Sequence, residues 1–338
     1  MEFSNQEAAV LNRRVFRFLR YLFFDSPIDT HMHYYLRTYD NFDYMDENEA
    51  WDSPKTYGTL EAAIDAAKRI VIKDLLWQLK PGMDSEALLQ AWRDFGSDPA
   101  VMPPPVEGAP HFSAWEFAGL VAPILCGASD YRFTDVPTAY QQAIVFAARW
   151  HETQNQKVPG TELPYVVHLS NVAMEVMQAA AHTPGFDLLL AVQAALLHDV
   201  LEDTPCTFTE VEERFGLKVA LAVLALTKPK QPQGQNQDSA AKHEQMEDSL
   251  SRIRYMPKEV WAVKLADRIT NLQPPPPHWT KSKALAYRDE ARLILETLGA
   301  GNEWLGKRLG EKIEAYGLLI DGREDDSSVE GKSLPDKV

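Results

Sequence analysis

Within the stretch "LLHDVLEDTP", Leu196 to Pro205, four ionisable side chains, His198, Asp199, Glu202 and Asp203, crowd into six consecutive positions. The segments around it, "LLLAVQAA" before and "VALAVLAL" after, are apolar all round, the pattern of buried helices. On one continuous helix the four fall within an arc of roughly 140°, with Leu197, Val200 and Leu201 on the other side. Three carboxylates so spaced repel one another, and each charge buried without a partner is costly. A chain that folds this way needs a compensating cation. A divalent metal is the economical one, because it accepts neutral imidazole and carboxylate oxygen together.

Two ligands from one helix leave the shell incomplete. His168 in "PYVVHLSNVA" opens the preceding helix, and Asp267 in "VKLADRITNL" is the one acid in an apolar turn far downstream. His168, His198, Asp199 and Asp267 would form a two-His, two-carboxylate centre with positions left for water and substrate. Taken singly, His168 also reads as a capping or core histidine, and Asp267 as the partner of Lys264 or Arg268.

Elsewhere helical periodicity dominates and few segments alternate like strands, so the fold expected is all-α. Helices are expected at "TLEAAIDAAKRIVIKDLLWQLK", "DSEALLQAWRDFG", "TAYQQAIVFAARWHE", "LSNVAMEVMQAAA", "FDLLLAVQAALLHDVLED", "MPKEVWAVKLADRITNL" and "KSKALAYRDEARLILETLG". Thr207 and Glu210 form a capping box that opens "TFTEVEERFG", and Gly216 stops it. The prolines of "DPAVMPPPVEGAP" mark a linker or surface loop, and the polar "KPKQPQGQNQDSAAKHEQ" reads as a mobile loop. A boundary near residue 130 separates a mainly helical N-terminal region, 1–130, from a helical bundle, 131–320. Residues 321–338 form a tail expected to be disordered.

The net charge of −15 argues against a broad nucleic-acid face, which needs clustered Lys and Arg. No apolar run is long enough to span a bilayer, and the N-terminus lacks a signal-peptide pattern. Cys126 and Cys206 cannot build a disulfide framework. A cytoplasmic protein acting on a small molecule, with a homo-oligomer open, is the expectation.

"ALLHDVLEDTPCTFTEVEERFG" followed by "VKLADRITNL", and preceded by "AARWHETQ" and "PYVVH", resembles the HD-domain hydrolases of the RelA/SpoT type, which remove the 3′-pyrophosphate of (p)ppGpp. The resemblance runs from about Tyr140 to Leu272, with a helical extension to about Tyr316. It implies an HD-superfamily helical bundle, one Mn²⁺ held by His168, His198, Asp199 and Asp267, and release of GDP or GTP plus pyrophosphate. It gives Glu202 and Asp203 the activation of the attacking water, and Asn271 a contact with the substrate nucleoside.

His151 fits the same pattern, either as a packed, hydrogen-bonded histidine or as part of the site. Arg149 and Lys157 are the nearest cations that could meet phosphate or base. Gln156 stands where the family has an arginine that stacks on guanine, so an adenosine counterpart is also a candidate substrate. Too little chain follows Asn271 for a synthetase domain. The alternative is an HD-type phosphatase of another nucleotide, such as NADPH. The N-terminal region matches no known pattern. Its His31-x-His33 is the pair that amidohydrolases place at the start of a barrel, but no barrel pattern accompanies it. Aromatics such as Phe42, Tyr44 and Trp51 suggest that it packs against another surface.

Overall fold

The computed structural model of the chain describes residues 33–42, 50–106, 108–128, 130–228 and 239–321. His31, Tyr44, most of the Gln-rich loop and the tail beyond Asp321 lie outside them.

Among its described residues, the N-terminal region combines a small sheet with three helices: β1 (Tyr35–Asp40), β2 (Trp51–Asp52), α1 (Leu60–Gln78), α2 (Ser85–Phe95), β3 (Ser97–Met102) and α3 (Ala114–Leu125). The sheet is antiparallel in the order β2-β1-β3, with Tyr35 opposite Met102 and Thr38 opposite Pro99. It corrects the expectation that "DPAVMPPPVEGAP" is all linker, since β3 takes its first residues. Pro99 is tolerated because β3 is an edge strand, where a missing N–H costs no ladder bond. Thr59 and Asp84 cap α1 and α2 through their side chains.

The remaining helices form a bundle: α4 (Val136–Thr153), α5 (Val166–Ala181), α6 (Leu188–Leu197), α7 (Val200–Asp203), α8 (Phe208–Phe215), α9 (Leu217–Leu226), α10 (Ser239–Arg254), α11 (Lys258–Asn271), α12 (Lys281–Leu298) and α13 (Glu303–Asp321). α6 and α9 are buried along nearly their whole length, as their apolar sequences require. The Thr207–Glu210 capping box forms as expected. Gly216 ends α8 at φ +91°, a conformation that L side chains resist, and a Cβ there would meet the Asp130 carbonyl at 2.7 Å. The Asp130 carboxylate in turn accepts from Leu217 and Lys218 N–H, capping α9. Helix also begins earlier than expected at the far side of the Gln-rich loop. Ser239 starts α10, whose Met246, Leu250 and Ile253 are buried at helical spacing.

The helix expected to run through "LLHDVLED" is broken. α6 ends at Leu197, His198 and Asp199 form a turn, and α7 restarts at Val200. The His198 imidazole donates from Nδ1 to the Ala195 carbonyl at 2.8 Å, and Asp199 sits at φ −99°, ψ −4°, off the helical minimum.

The apolar core crosses residue 130 without interruption. Val71, Leu75, Trp92, Phe117 and Val121 belong to the same buried cluster as Leu169, Leu196, Phe208 and Ile269. A polar clamp reinforces this junction. Asp65 of α1, 6% exposed, accepts from Phe208 N (2.6 Å), Thr209 N (3.2 Å) and Thr209 Oγ1 (2.8 Å). Lys68, one turn on, donates to Thr209 Oγ1 (2.9 Å) and Glu212 Oε2 (2.7 Å), against the rings of Phe117 and Phe208.

Candidate metal centre

α5, the α6–α7 turn and α11 bring four side chains to one point. His168 Nε2 lies 3.9 Å from Asp199 Oδ2 and 3.5 Å from Asp267 Oδ1, while His198 Nε2 lies 2.9 and 3.7 Å from the same two oxygens. Two donors each ~2.1 Å from a common ion stand ~3 Å apart at a right angle and ~4.2 Å apart when opposed. The four imidazole–carboxylate separations lie close to that span, and His168, His198 and Asp199 bring one ligand atom each within 4.8 Å of one another, with Asp267 beside them. Both Nε2 atoms are buried without a well-aligned hydrogen-bond partner. Orphaned lone pairs on buried imidazoles, facing two carboxylates, fit a divalent cation.

The surroundings orient these groups. The Nδ1–H bond of His198 to the Ala195 carbonyl leaves its Nε2 as the donor to a metal. The Tyr165 hydroxyl donates to Asp199 Oδ2 at 2.5 Å. Lys264 Nζ donates to Asp267 Oδ2 at 3.0 Å, and Asn271 Nδ2 to Asp267 Oδ1 at 2.6 Å. The rings of His151, Tyr165, His168 and His198 follow one another at centroid spacings of 4.8, 5.2 and 5.4 Å.

The electrostatics are those of a charged cluster held out of water. Burial opposes ionisation of Asp199, yet His198 and the Tyr165 hydroxyl hold its carboxyl down at about 2. Burial works likewise against Asp267, and Lys264 with the two histidines outweighs it, so this carboxyl lies well below the usual range. His198 would be depressed by burial alone, but Asp199 and Asp267 raise it well above an ordinary imidazole.

The acid pair sits beside this cluster. Glu202 Oε2 accepts from Lys228 N at 2.9 Å, with Lys228 Nζ 3.9 Å from its other oxygen. Burial raises the Glu202 carboxyl, only partly offset by Lys228. Asp203 Oδ2 accepts from Gln156 Nε2 at 2.7 Å. The Gln156 Oε1 meets His151 Nδ1 at 2.5 Å, so the side chain expected to face a base is engaged on both ends. Lys157, paired in a β-bridge with Pro164, is exposed next to it. Arg149 is exposed on α4, about 200° round the helix from buried His151, and is not gathered with the cluster. Asn271 is gathered, with its amide NH₂ donating to Asp267. Tyr165 was given no role from the sequence. Its signal was the spacing in "PYVVH", which sets it one helical turn before His168.

Comparison with known proteins defines the class first: the HD-domain profile matches residues 143–300, which span all four converging side chains. The guanosine-3′,5′-bis(diphosphate) 3′-pyrophosphohydrolase MESH1 of Mus musculus is 31% identical over 184 residues, covering 53% of this chain and 95% of that protein. The Homo sapiens protein of the same name is 32% identical over equal coverage. A guanosine-3′,5′-bis(diphosphate) 3′-pyrophosphohydrolase of Aquifex aeolicus is 42% identical over 88 residues, 26% of this chain and 11% of that one. A solved structure, described as a metazoan orthologue of SpoT that hydrolyses ppGpp, is 29% identical and matches 55% of this chain and 99% of its own, at a TM-score of 0.45. The chain belongs to the HD-domain (p)ppGpp hydrolase family, and it is an HD-domain hydrolase.

Proposed function

We propose that the protein hydrolyses the 3′-pyrophosphate of a guanosine polyphosphate alarmone, or its adenosine counterpart, giving GDP or GTP, or the adenine equivalent, and pyrophosphate. The observation that carries this reading is the convergence of two orphaned imidazole nitrogens and two carboxylates beside a second acid pair. The relatives named for this reaction, matched over nearly their full length, support the substrate class.

His168, His198, Asp199 and Asp267 would hold one Mn²⁺, which when bound supplies a Lewis acid for the phosphoryl oxygen and an acidified water. Glu202 and Asp203 take up and pass on the proton of the attacking water. Glu202 is the better base near neutral pH, because burial raises its carboxyl. Asp203 is held by the Gln156 amide and orients the water. Exposed Lys157 offers a cation to the substrate's phosphates, and Asn271 keeps Asp267 turned toward the histidines.

Residues 33–130 serve as a buttress built onto the hydrolase core, which spans 131–320. The two free cysteines support a cytoplasmic setting, and among the described residues no helix is long and apolar enough to cross a membrane. The exposed, stacked pair Phe42 and Phe95, just past the end of β1 and at the end of α2, supports association of copies through that face.

A product assay with Mn²⁺ over ppGpp, pppGpp, ppApp and NADPH tests the reading. Pyrophosphate from the first three is expected. Orthophosphate from NADPH alone would replace it with a nucleotide phosphatase. Full turnover in the double variant Glu202→Gln, Asp203→Asn would remove these acids from the mechanism.

A further inference from the structure

Gln156 links two parts of the site that are far apart in sequence. An ionised carboxylate only accepts hydrogen bonds, so the contact with Asp203 must be made by the amide NH₂. That turns the amide oxygen toward His151, whose Nδ1 must then carry a proton. His151 is 2% exposed, and burial lowers its pKa, which favours a neutral ring of this one tautomer.

The backbone of Gln156 is as fully engaged as its side chain. Its N–H donates to the His151 carbonyl at 3.1 Å, and its carbonyl accepts from Tyr165 N at 3.3 Å. Asn155, at φ +48°, turns the chain back to make this possible, and Val158 N bonds to the Leu163 carbonyl at 2.9 Å to close the loop. Through Tyr165 the same loop reaches Asp199. The residue therefore stands between an acid of the water-activating pair and a residue that orients a metal-binding carboxylate, with both ends of its amide held by groups of the site.

We propose that Gln156 is a positioning residue: it fixes the Asp203 carboxylate beside the site and locks His151 as the Nδ1–H tautomer, and it takes no part in recognising the base. This role rests on the hydrolase reading, but the geometry can be tested without it. In the full-length, metal-free protein, ¹⁵N NMR of the His151 ring should show the Nδ1–H tautomer in the wild type and an Nε2–H population in Gln156→Leu. An unchanged tautomer in the variant would overturn the proposal.

With Mn²⁺ and ppGpp, Gln156→Leu should lower kcat by about 10- to 100-fold, with KM and Mn²⁺ affinity within about threefold of wild type. Asp203→Asn should cost less in the Gln156→Leu background than it costs the wild type, because part of its effect runs through the same link. A raised KM at unchanged kcat would make Gln156 a substrate contact and overturn the proposal. Gln156→Glu keeps the shape of the side chain and sets a second carboxylate against Asp203, so it should lose kcat without losing fold. Full activity there would also overturn it. Should the wild type release no pyrophosphate, the substrate reading fails while the NMR result still decides the geometry.

Discussion

Replacing Asp65 by alanine tests whether the N-terminal region and the hydrolase core form one cooperative unit. The carboxylate is nearly buried and accepts three hydrogen bonds from Phe208 and Thr209, at the start of the helix five residues beyond Asp203. Hydrogen bonds to a charged group contribute ~1.5–3 kcal/mol each when deleted singly, and a negative charge at a helix N-terminus adds up to ~1 kcal/mol. The three share one carboxylate and water can re-enter part of the gap, so the sum is well below additive, about 3 kcal/mol. At about 2 °C per kcal/mol for a chain of this size, Tm should fall by about 6 °C. Asp65→Asn keeps one acceptor oxygen and should fall about half as far. Asp94→Ala, on the exposed face of α2, should stay within about 0.5 kcal/mol of wild type. Thermal unfolding followed by circular dichroism should remain a single transition in every variant. An Asp65→Ala protein that melts with the wild type, or that melts in two steps with the upper step unmoved, would refute the coupling.

Mn²⁺ should stabilise the wild type by about 2.7 kcal/mol at a hundredfold excess over Kd, and Asp267→Ala should abolish that shift; a shift that survives would remove Asp267 from the ligand set. Binding should also expel a proton. The folded metal-free His198 has a raised pKa, so the stability its charge contributes is fully present below the unfolded value near ~6.5 and is lost as pH rises through the folded pKa. Mn²⁺ affinity should accordingly climb with pH up to the raised folded pKa of His198 and level off above it, and calorimetry in buffers of different ionisation enthalpy should register the released proton. A buffer-independent enthalpy would contradict the pairing drawn here. Tyr165→Phe removes the hydroxyl that orients Asp199 and should weaken Mn²⁺ binding by about tenfold with the fold intact. Unaltered affinity would reduce Tyr165 to packing.

The convergence of His168, His198, Asp199 and Asp267 was legible because ionisable groups in a buried apolar run are costly, and the cost must be offset somewhere. His198 and Asp199 betrayed themselves among leucines, and Asp267 by being alone in its turn. The break at His198 and Asp199 was not legible: both residues keep right-handed backbone angles, so the hydrophobic period runs through it unchanged. The sheet escaped because β1 buries only Leu36 and Thr38 on its inner face, too little apolar content to register as alternation. The roles of Gln156 and Asp65 depend on partners 47 and 143 residues away, and nothing local in a polar side chain names a distant acceptor or donor.

The uninterrupted core at residue 130 has a consequence for the history of the chain. The mouse relative is matched almost end to end by about half of this sequence, so a hydrolase of this kind can be built without a counterpart to the first 130 residues. Here Val71, Leu75, Trp92 and Phe117 pack into the same apolar core as the hydrolase half. Severing the chain at 130 would uncover that apolar core and leave the first turn of α8 without Asp65, so the freed hydrolase half should aggregate rather than work. Apolar side chains on both faces of the join bind the two halves into a single core.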